Sequence, residues 1–472
     1  MKRELRHYKT KMSLLERCRW SLRGKERIRG LIETLRRHND DLIRLCSWEA
    51  QAQINRGLAT LTLPQSKNSV ELHLMADISA EAAKDETSPM AEGRQRIAEM
   101  ARFKAKLMTL SKVSHKNQAH WRLLDQRDYV INWTSSPYTL GQSLRDRDPV
   151  FVEWQSYRGE DKQPDKLAEK QIHELGDFLS VATRPHDFRA LDCIGLFKDS
   201  ANDRYGVVYN LPEHLRSLSH CTRTENRRIY NPSTLTHLIR NIDGVLDLGI
   251  RFNLAKKLIY SVVVLHTCGW LHENIRSDNI FFFPARPDTG ERVKDYRKDI
   301  GRPIIVGYGL SRPDDIAVDQ SGRRQHSRLS PADEDAEVSQ RSRRHQCGDD
   351  SNNDNNNKQS TLNVYQHPDK LANPDRRFRH SYDIYSLGLV LLEIGLWQNL
   401  QAFDASRWKD AYGFQKFVLD RLVPDLWGQC GSIYGSVVKE CLTMKSDDLE
   451  LAEESQRRLA WNIAERLDKC VA

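Results

Sequence analysis

The chain has 472 residues, of which 29% are charged, with a mean hydropathy of −0.67 and a formal net charge of +8. A chain of this length is too long to fold around a single hydrophobic core, so we predict two or three domains. The longest apolar runs, Val262–Leu265 and Ile280–Phe283, are too short to cross a bilayer. Nine cysteines without CxxC or CxH spacing favour reduced thiols over disulfides or zinc ligands. We therefore expect a cytoplasmic protein.

The N-terminal region has an excess of positive charge equal to the net charge of the whole chain. Residues 1–47 contain 14 Lys and Arg against 6 Asp and Glu. Two sets of apolar residues recur there at helical spacing, so we predict a helical hairpin or partial bundle over residues 1–56. The sets are Leu5, Tyr8, Met12 and Leu15, then Ile28, Leu31, Ile32, Leu35, Leu42 and Leu45. Such a basic surface can attract nucleic acid or an anionic membrane, but we favour a solvated helix surface, because charge alone specifies no partner. Contact of the N-terminal helices with an anionic membrane stays open, and no specific nucleic acid partner is expected.

Residues 57–124 are predicted to form a linker with helices, among them a short helix at Ile78–Lys84 and a longer one at Arg94–Leu110. Short β-like runs follow, separated by one helical stretch, Lys166–Ala182. The runs are Tyr129–Trp133, Val150–Tyr157, Leu191–Phe197 and Tyr205–Tyr209. After residue 232 the pattern is mainly helical. Residues 317–360 are polar and of low complexity, which predicts a disordered insert.

The segment Leu271–Ile280, LHENIRSDNI, follows a long apolar helix predicted at Phe252–His266. It resembles the protein-kinase catalytic loop HRDLxxxN, in which the Asp is the base and the Asn binds magnesium. His272 and Asn279 keep the template spacing, so the resemblance makes Asn279 the candidate metal ligand. Asn274 stands at the position of the base, and its amide is a poor base at neutral pH. Arg276 occupies the position of a lysine that contacts phosphate.

Three further segments follow in the order found in kinases. Ile304–Arg312, IIVGYGLSR, resembles a strand followed by DFG-L-A-R, with Gly307 at the Asp position and Gly309 at the Gly position. Tyr365–Asp369 lies at the position of the APE motif, where Asp369 would replace the glutamate. Ser381–Glu393 resembles the DxxSxGxxLxE helix, in which Asp383 would bind the backbone of the catalytic loop. Four ordered matches predict a bilobal kinase-like fold, hence the α+β class.

The smaller lobe fits the template less closely. Val150–Gln155, VFVEWQ, resembles the strand that holds the VAIK lysine, yet Glu153 and Gln155 at the two plausible registers bear no positive charge. Glu169 or Glu174 would stand at the position of the ion-pair partner. No GxGxxG precedes the strand, and Tyr209–Pro212 would connect the lobes. The resemblance makes four residues the candidate nucleotide contacts: Gln155, Glu174, Asn210 and Leu211.

A closer family resemblance appears when the N-terminal helices are considered together with the kinase-like region. Arg17–Leu22 and the apolar positions after Ile28 resemble the C-terminal helices of fungal HeLo domains, of the prion-inhibition-and-propagation group of heterokaryon-incompatibility proteins. Related proteins continue into a divergent kinase-like domain with similar VEW, HxNIRSxNI and Gly-aromatic segments. The resemblance spans residues 12–48 and 125–470. It implies HeLo-like helices over 1–56, a smaller lobe over 125–212 and a larger lobe over 213–472.

Four catalytic features of kinases are replaced: the glycine loop, the lysine, the base and the metal-binding Asp. Losing one preorganised charge costs on the order of 100-fold in rate. We therefore expect a catalytically impaired kinase-like scaffold or regulator in fungal self-recognition or cell-death signalling, with protein partners and with ATP and magnesium bound weakly or not at all. One alternative is a divergent ATP-binding Ser/Thr kinase. Another is a membrane-active effector working through the basic N-terminal helices.

Overall fold

The structure, a computed structural model, describes most of the chain from residue 62 to residue 472. The described ranges are 62–66, 68–84, 91–114, 121–131, 137–157, 166–181, 184–213, 215, 232–283 without 243, 300–314, 364–400 without 375, 403, 408, 410–444 and 453–472. Nine helical positions between 29 and 41 are described as well. The remainder of the hairpin predicted over 1–56 and the whole insert predicted over 317–360 lie outside the described residues.

A five-stranded antiparallel sheet has the order β1-β2-β3-β5-β4. Its strands are β1 Tyr129–Ile131, β2 Tyr138–Ser143, β3 Pro149–Ser156, β4 Asp192–Asp199 and β5 Arg204–Asn210. Strands β1, β3, β4 and β5 were predicted to within a few residues. Strand β2 was not, and it is the strand that lies between β1 and β3.

Strand β3 is buried on both faces, which explains its nearly continuous apolar sequence. Phe151 on one face joins the main core of the molecule. Val152 and Trp154 on the other face join a smaller cluster that includes Phe197 of β4. Side chains alternate between faces along a strand, so Glu153 and Gln155 share the face of Phe151 and point toward the main core.

Three helices lie before or beside this sheet. Helix α1 (Ser69–Ala83) is longer than the predicted Ile78–Lys84 and packs along α2 (Ala91–Ser114). Helix α3 (Lys166–Leu179) lies against β4 and ends close to the predicted boundary. Asn68 caps α1, because its side-chain oxygen accepts a hydrogen bond from the Val70 amide.

Helix α2 belongs to the main core. Its Phe103 ring lies 5.9 Å from the Phe178 ring of α3 and 5.4 Å from the Phe188 ring, between centroids. Arg96 pairs with Asp187 and places its guanidinium 4.2 Å from the centroid of the Tyr260 ring. The region predicted as a linker with helices is therefore anchored to the body of the protein.

The part of the chain after residue 232 is mainly helical. Its helices are α4 Leu235–Asn241, α5 Leu248–Thr267, α6 Pro368–Ala372, α7 His380–Leu396, α8 Ala411–Phe417, α9 Val423–Thr443 and α10 Glu453–Asp468. Helix α7 is central, since every residue from His380 to Gly395 is buried. Helix α9 packs along α7, and α10 packs along α5.

Two small antiparallel sheets hold the loops near the five-stranded sheet. One has the order β6-β8-β9, formed by Ser233–Thr234, Ile280–Phe282 and Ile304–Ile305. The other pairs β7 (Trp270–Leu271) with β10 (Arg312–Pro313). Separate helical and antiparallel β regions place the chain in the α+β class, as predicted. Among the described residues, no helix combines the length and apolar character needed to cross a membrane.

Candidate functional site

A cleft of about 210 Å³ lies where the five-stranded sheet faces the loop that follows α5. Strands β2 and β3 supply one wall, and the segments around residues 274–279 and 307–310 supply the other. The lining residues are Pro137, Tyr138, Glu153, Trp154, Gln155, Asn274, Arg276, Asp278, Asn279, Gly307, Gly309 and Leu310. The cleft thus brings together residues from three of the segments singled out in the sequence.

The loop Leu271–Ile280 is fixed by a carboxylate in the first turn of α7. Asp383 is fully buried and accepts hydrogen bonds from the backbone amides of His272 and Glu273, at 2.8 and 2.9 Å. Its other neighbour is His266 of α5, whose Nε2 lies 3.2 Å from Asp383 Oδ2. One side chain therefore connects the central helix to the loop and to the helix before the loop. Burial lowers the pKa of His272 to about 4, so this ring is neutral at physiological pH.

Asn279 uses both ends of its side-chain amide within the protein. Its Oδ1 accepts a 2.8 Å hydrogen bond from the Tyr138 hydroxyl, and its Nδ2 donates a 2.9 Å bond to the Asn274 carbonyl oxygen. The Asn274 side chain in turn lies within 3.5 Å of the Gly307 carbonyl oxygen. The oxygen that the sequence suggested as a metal ligand is therefore engaged by a phenol.

Tyr138 is held in this position by aromatic packing. Its ring centroid lies 5.7 Å from that of Phe151 in a stacked arrangement and 5.2 Å from that of Phe281 in an edge arrangement. The ring therefore bridges β2 of the large sheet and β8 beside the loop. Tyr138 was not predicted as a site residue, because β2, with its Thr, Gly, Gln and Ser residues, lacks an apolar alternation. The hydroxyl and its acceptor are separated by 141 residues in the chain.

Glu153 is a buried carboxyl at the inner wall of the cleft. Its Oε1 accepts a 2.6 Å hydrogen bond from the Gln155 amide, and its Oε2 accepts from the Tyr209 hydroxyl at 3.3 Å and the Gly307 amide at 3.4 Å. Burial raises the pKa of Glu153 to about 7 in spite of these donors. A carboxyl with this pKa could accept a proton at neutral pH, but it is enclosed by its own neighbours, away from solvent.

The glycines of the segment Gly307–Leu310 allow the close approach of the two walls. A Cβ at Gly309 would lie 1.8 Å from Gln155 Oε1, so any larger residue would have to displace that amide. Gly307 has a φ of +86° and would place a Cβ 2.5 Å from Asn279 Nδ2. Tyr308 lies between these two glycines in the chain and does not line the cleft. The centroid of its ring lies 4.6 Å from that of the His272 ring.

The charge of the cleft is unfavourable to anions. Among the described residues that line it, Arg276 alone is positively charged, and its guanidinium binds Asp278 Oδ2 at 2.8 and 3.2 Å. Arg276 also lies over the Tyr365 ring, 5.5 Å from its centroid. Glu153 and Asp278 are the acidic lining residues. The cleft therefore presents no surplus positive charge to a phosphate group.

The other predicted site residues lie away from the cleft lining. Glu174 pairs with Lys170 at 3.6 Å along α3, and Glu169 binds Lys198 and the Tyr205 hydroxyl at 2.7 and 2.6 Å. Neither glutamate therefore forms an ion pair with β3.

Asn210 and Leu211 lie at the end of β5, where Asn210 pairs in register with residues of β3 and β4. Asp369, in α6, lies 3.8 Å from Arg376 and accepts a hydrogen bond from the Tyr412 hydroxyl. Asp369 therefore connects α6 both to the turn that follows it and to α8. Across the described ranges, no three His, Cys, Asp or Glu side chains converge as a metal ion would require.

Neither a comparison with models of known protein families nor a search of curated proteins finds a match for this chain.

Proposed function

We propose that the chain from about residue 125 onward is a bilobal protein-kinase-like domain without phosphotransfer activity, which serves as a cytoplasmic scaffold or regulator. The five-stranded sheet would be the smaller lobe and the helices after residue 232 the larger one. The ordered motifs support this proposal together with the anchoring of the loop Leu271–Ile280 by Asp383. The resemblance to kinases implies the same contact, because the Asp of the DxxSxGxxLxE helix binds the backbone of the catalytic loop in those proteins.

One observation supports the proposed lack of phosphotransfer activity. Glu153 and Gln155 line the cleft and stand at the two positions of β3 where the resemblance to kinases places a lysine. Phosphoryl transfer depends on cations that neutralise the developing charge. Among the described residues that line the cleft, the one cation, Arg276, is bound to Asp278, and the Asn279 oxygen is bound to the Tyr138 hydroxyl. These residues do not suit magnesium ATP, since binding would require both hydrogen-bonded pairs to open beside a buried carboxyl.

The biological setting of the proposal comes from the resemblance to fungal HeLo-containing proteins over residues 12–48 and 125–470. In that setting the domain would act through its surfaces on protein partners in self-recognition or cell-death signalling. A catalytically silent domain is adequate for such a role, because a scaffold needs a defined shape and not a turnover rate.

A thermal-shift titration of the full chain with ATP and ADP, with and without magnesium, tests the proposal. A ligand at 100 times its dissociation constant would add about 2.7 kcal/mol of stability. We expect no shift with either nucleotide under either condition. An authentic protein kinase measured in the same plate is the positive control, and the Asn279→Ala variant is the matched control for the metal position.

One result would contradict the proposal: a magnesium-dependent shift that disappears in Asn279→Ala, accompanied by phosphate transfer to a Ser/Thr substrate, would establish a divergent kinase. A shift that does not need magnesium, without phosphate transfer, would keep the non-catalytic role and make the domain a nucleotide-sensing regulator.

A further inference from the structure

The Tyr138 side chain reaches from one wall of the cleft to the other. It starts on β2, lines the cleft and ends at Asn279 in the opposite wall, where its hydroxyl donates a 2.8 Å hydrogen bond to Oδ1. Burial raises the pKa of Tyr138 well above its usual value of 10, so the phenol keeps its proton at physiological pH. The hydroxyl is therefore a constant donor to the Asn279 oxygen.

An aromatic cluster holds the Tyr138 ring in this position. Phe151, Phe281 and Phe283 are almost fully buried, and the Phe151 ring lies 5.5 Å from the Phe281 ring and 6.1 Å from the Phe283 ring, between centroids. Tyr138 stacks on Phe151 of β3 and meets Phe281 of β8 in an edge arrangement. Both geometries are favourable for pairs of rings. The cluster therefore joins the five-stranded sheet to the segment that follows the loop.

A circuit of hydrogen bonds joins the same two walls. Tyr138 pairs in register with Glu153 of β3, and Glu153 Oε2 accepts a hydrogen bond from the Gly307 amide at 3.4 Å. The Gly307 carbonyl oxygen lies 3.5 Å from the Asn274 side chain, and the Asn274 carbonyl oxygen accepts from Asn279. Asn279 then accepts from the Tyr138 hydroxyl. Tyr138 therefore supplies the contact through which this circuit returns to β2.

We propose that Tyr138 is an internal ligand of the cleft, which holds the two walls together without a bound nucleotide. Its phenol provides what a small ligand would bring to this place: a flat ring for Phe151 and Phe281 and a hydroxyl for Asn279. The position that it occupies accepts a neutral phenol and not an anion, since the cleft has no surplus positive charge.

The internal ligand deepens the proposed function, because it names what keeps the same cleft closed. It rests on that function only in taking this cleft as the kinase-like site. The nucleotide titration of the wild type tests the proposed function, whereas a phenol titration of a variant without the Tyr138 ring tests the internal ligand. Each can therefore fail without the other.

Chemical rescue of Tyr138→Ala by p-cresol, the free equivalent of the tyrosine side chain, is the experiment. The substitution leaves a cavity beside Phe151 and Phe281, and cavities lined by apolar side chains bind small aromatic molecules. We expect p-cresol to raise the melting temperature of Tyr138→Ala in a saturable manner and to leave that of the wild type unchanged. Toluene, which lacks the hydroxyl for Asn279, should bind about tenfold more weakly.

Phe103→Ala is the matched control, because its cavity would lie against the Phe178 and Phe188 rings. There toluene should bind at least as well as p-cresol. A preference for p-cresol in both variants, or an equal rise in the wild-type melting temperature, would overturn the proposal, since the hydroxyl would then be recognised elsewhere. An absence of rescue in a Tyr138→Ala protein with the circular dichroism of the wild type would overturn it as well.

Tyr138→Phe keeps the ring and removes only the hydroxyl, so it tests the closure even where Tyr138→Ala fails to fold. The readout is hydrogen–deuterium exchange of the full chain at residues 277–282, which include Asn279. We expect about a tenfold rise in exchange there, with unchanged exchange in α9. Leu144→Ala, at an exposed residue directly after β2, should leave both regions unchanged. Exchange at residues 277–282 that stays at the wild-type rate in Tyr138→Phe would show that the hydroxyl does not hold this wall, and the proposal would fall.

Discussion

The Glu153 carboxyl shows how a buried acid couples the cleft to pH. Its pKa is raised from an ordinary value of 4.5 to about 7, chiefly by burial. The folded protein therefore holds a proton that the unfolded chain releases between about pH 4.5 and pH 7. Stability from this group is fully present below pH 4.5 and is lost as pH rises through 7. The Glu153→Gln variant lacks this loss.

We expect Glu153→Gln to gain stability relative to the wild type as pH rises from 5 to 8, by on the order of 2–3 kcal/mol. Urea unfolding at pH 5, 6, 7 and 8 measures the difference. Glu393 also has a pKa raised to about 7 by burial, and its effect cancels because both proteins contain it. Parallel curves for Glu153→Gln and the wild type would contradict the assignment.

The pair formed by Glu273 and Arg312 joins the loop before the cleft to the strand after it. Arg312 Nε donates a 2.7 Å hydrogen bond to Glu273 Oε1, and the carboxylate is almost fully buried. Arg312→Ala would leave this buried charge without its cation, so we expect a loss of about 3–5 kcal/mol in the free energy of unfolding. Urea denaturation, monitored by tryptophan fluorescence, measures this loss.

The double variant Glu273→Gln with Arg312→Ala is the control for this pair. It removes the stranded charge, so it should be more stable than Arg312→Ala alone. If the double variant lost the sum of both single effects, the pair would not be coupled.

At the scale of elements, α2 contributes to the core through Phe103, which is fully buried against Phe178 and Phe188. We expect Phe103→Ala to lower the free energy of unfolding by about 3–5 kcal/mol, because it opens a cavity between α2 and α3. Thermal and urea unfolding measure the loss. Leu144→Ala, at an exposed apolar residue, should change stability by less than about 0.5 kcal/mol. Equal effects of the two variants would mean that α2 is dispensable for the core.

Some elements were predictable because one physical signal dominates their sequence. Strands β3 and β5 are rich in Val and aromatic residues, so their positions were predicted closely. Helix α7 was predicted from the spacing of its Asp, Ser, Gly and Glu residues, which resembles the DxxSxGxxLxE helix. Helix α1 was predicted only in part, because apolar residues lie on both its buried and its exposed faces and blur the helical period. Strand β2 was missed because its stability comes from pairing with β1 and β3.

Some residues of the cleft were predictable from the sequence, but their arrangement was not. The sequence singled out Asn279, Gly307 and Gly309, and all three line the cleft. The hydrogen bond from Tyr138 to Asn279 could not be inferred from the sequence. It joins β2 to the turn before β8, and no local sequence pattern relates these two segments. The surroundings of Glu153 were equally hidden, because Tyr209 and Gly307 reach it only through sheet pairing and the following turn.

Across the whole molecule, Asp383 links the central helix α7 to the loop after α5. It accepts two backbone hydrogen bonds from His272 and Glu273 in a fully buried setting. We expect Asp383→Asn to lower the free energy of unfolding by about 3 kcal/mol, because an amide supplies one acceptor where the carboxylate supplies two. Far-UV and near-UV circular dichroism should report a single transition at a lower temperature.

Asp420→Asn, at an exposed position near α9, is the matched control and should melt with the wild type. If Asp383→Asn gave two separate transitions, the sheet and the helical region would unfold as independent units. A single transition would instead mean that one cooperative unit spans both parts.

The turn at Gly307 also limits how this protein can change over evolution or by design. An aspartate at position 307 would need a left-handed backbone and would place its Cβ 2.5 Å from the Asn279 amide nitrogen. A metal-binding carboxylate therefore cannot be introduced there by one substitution without disturbing Asn279 and, through it, Tyr138. The strained backbone and the close contact make this single substitution destabilising, so the turn disfavours the return of a carboxylate at position 307.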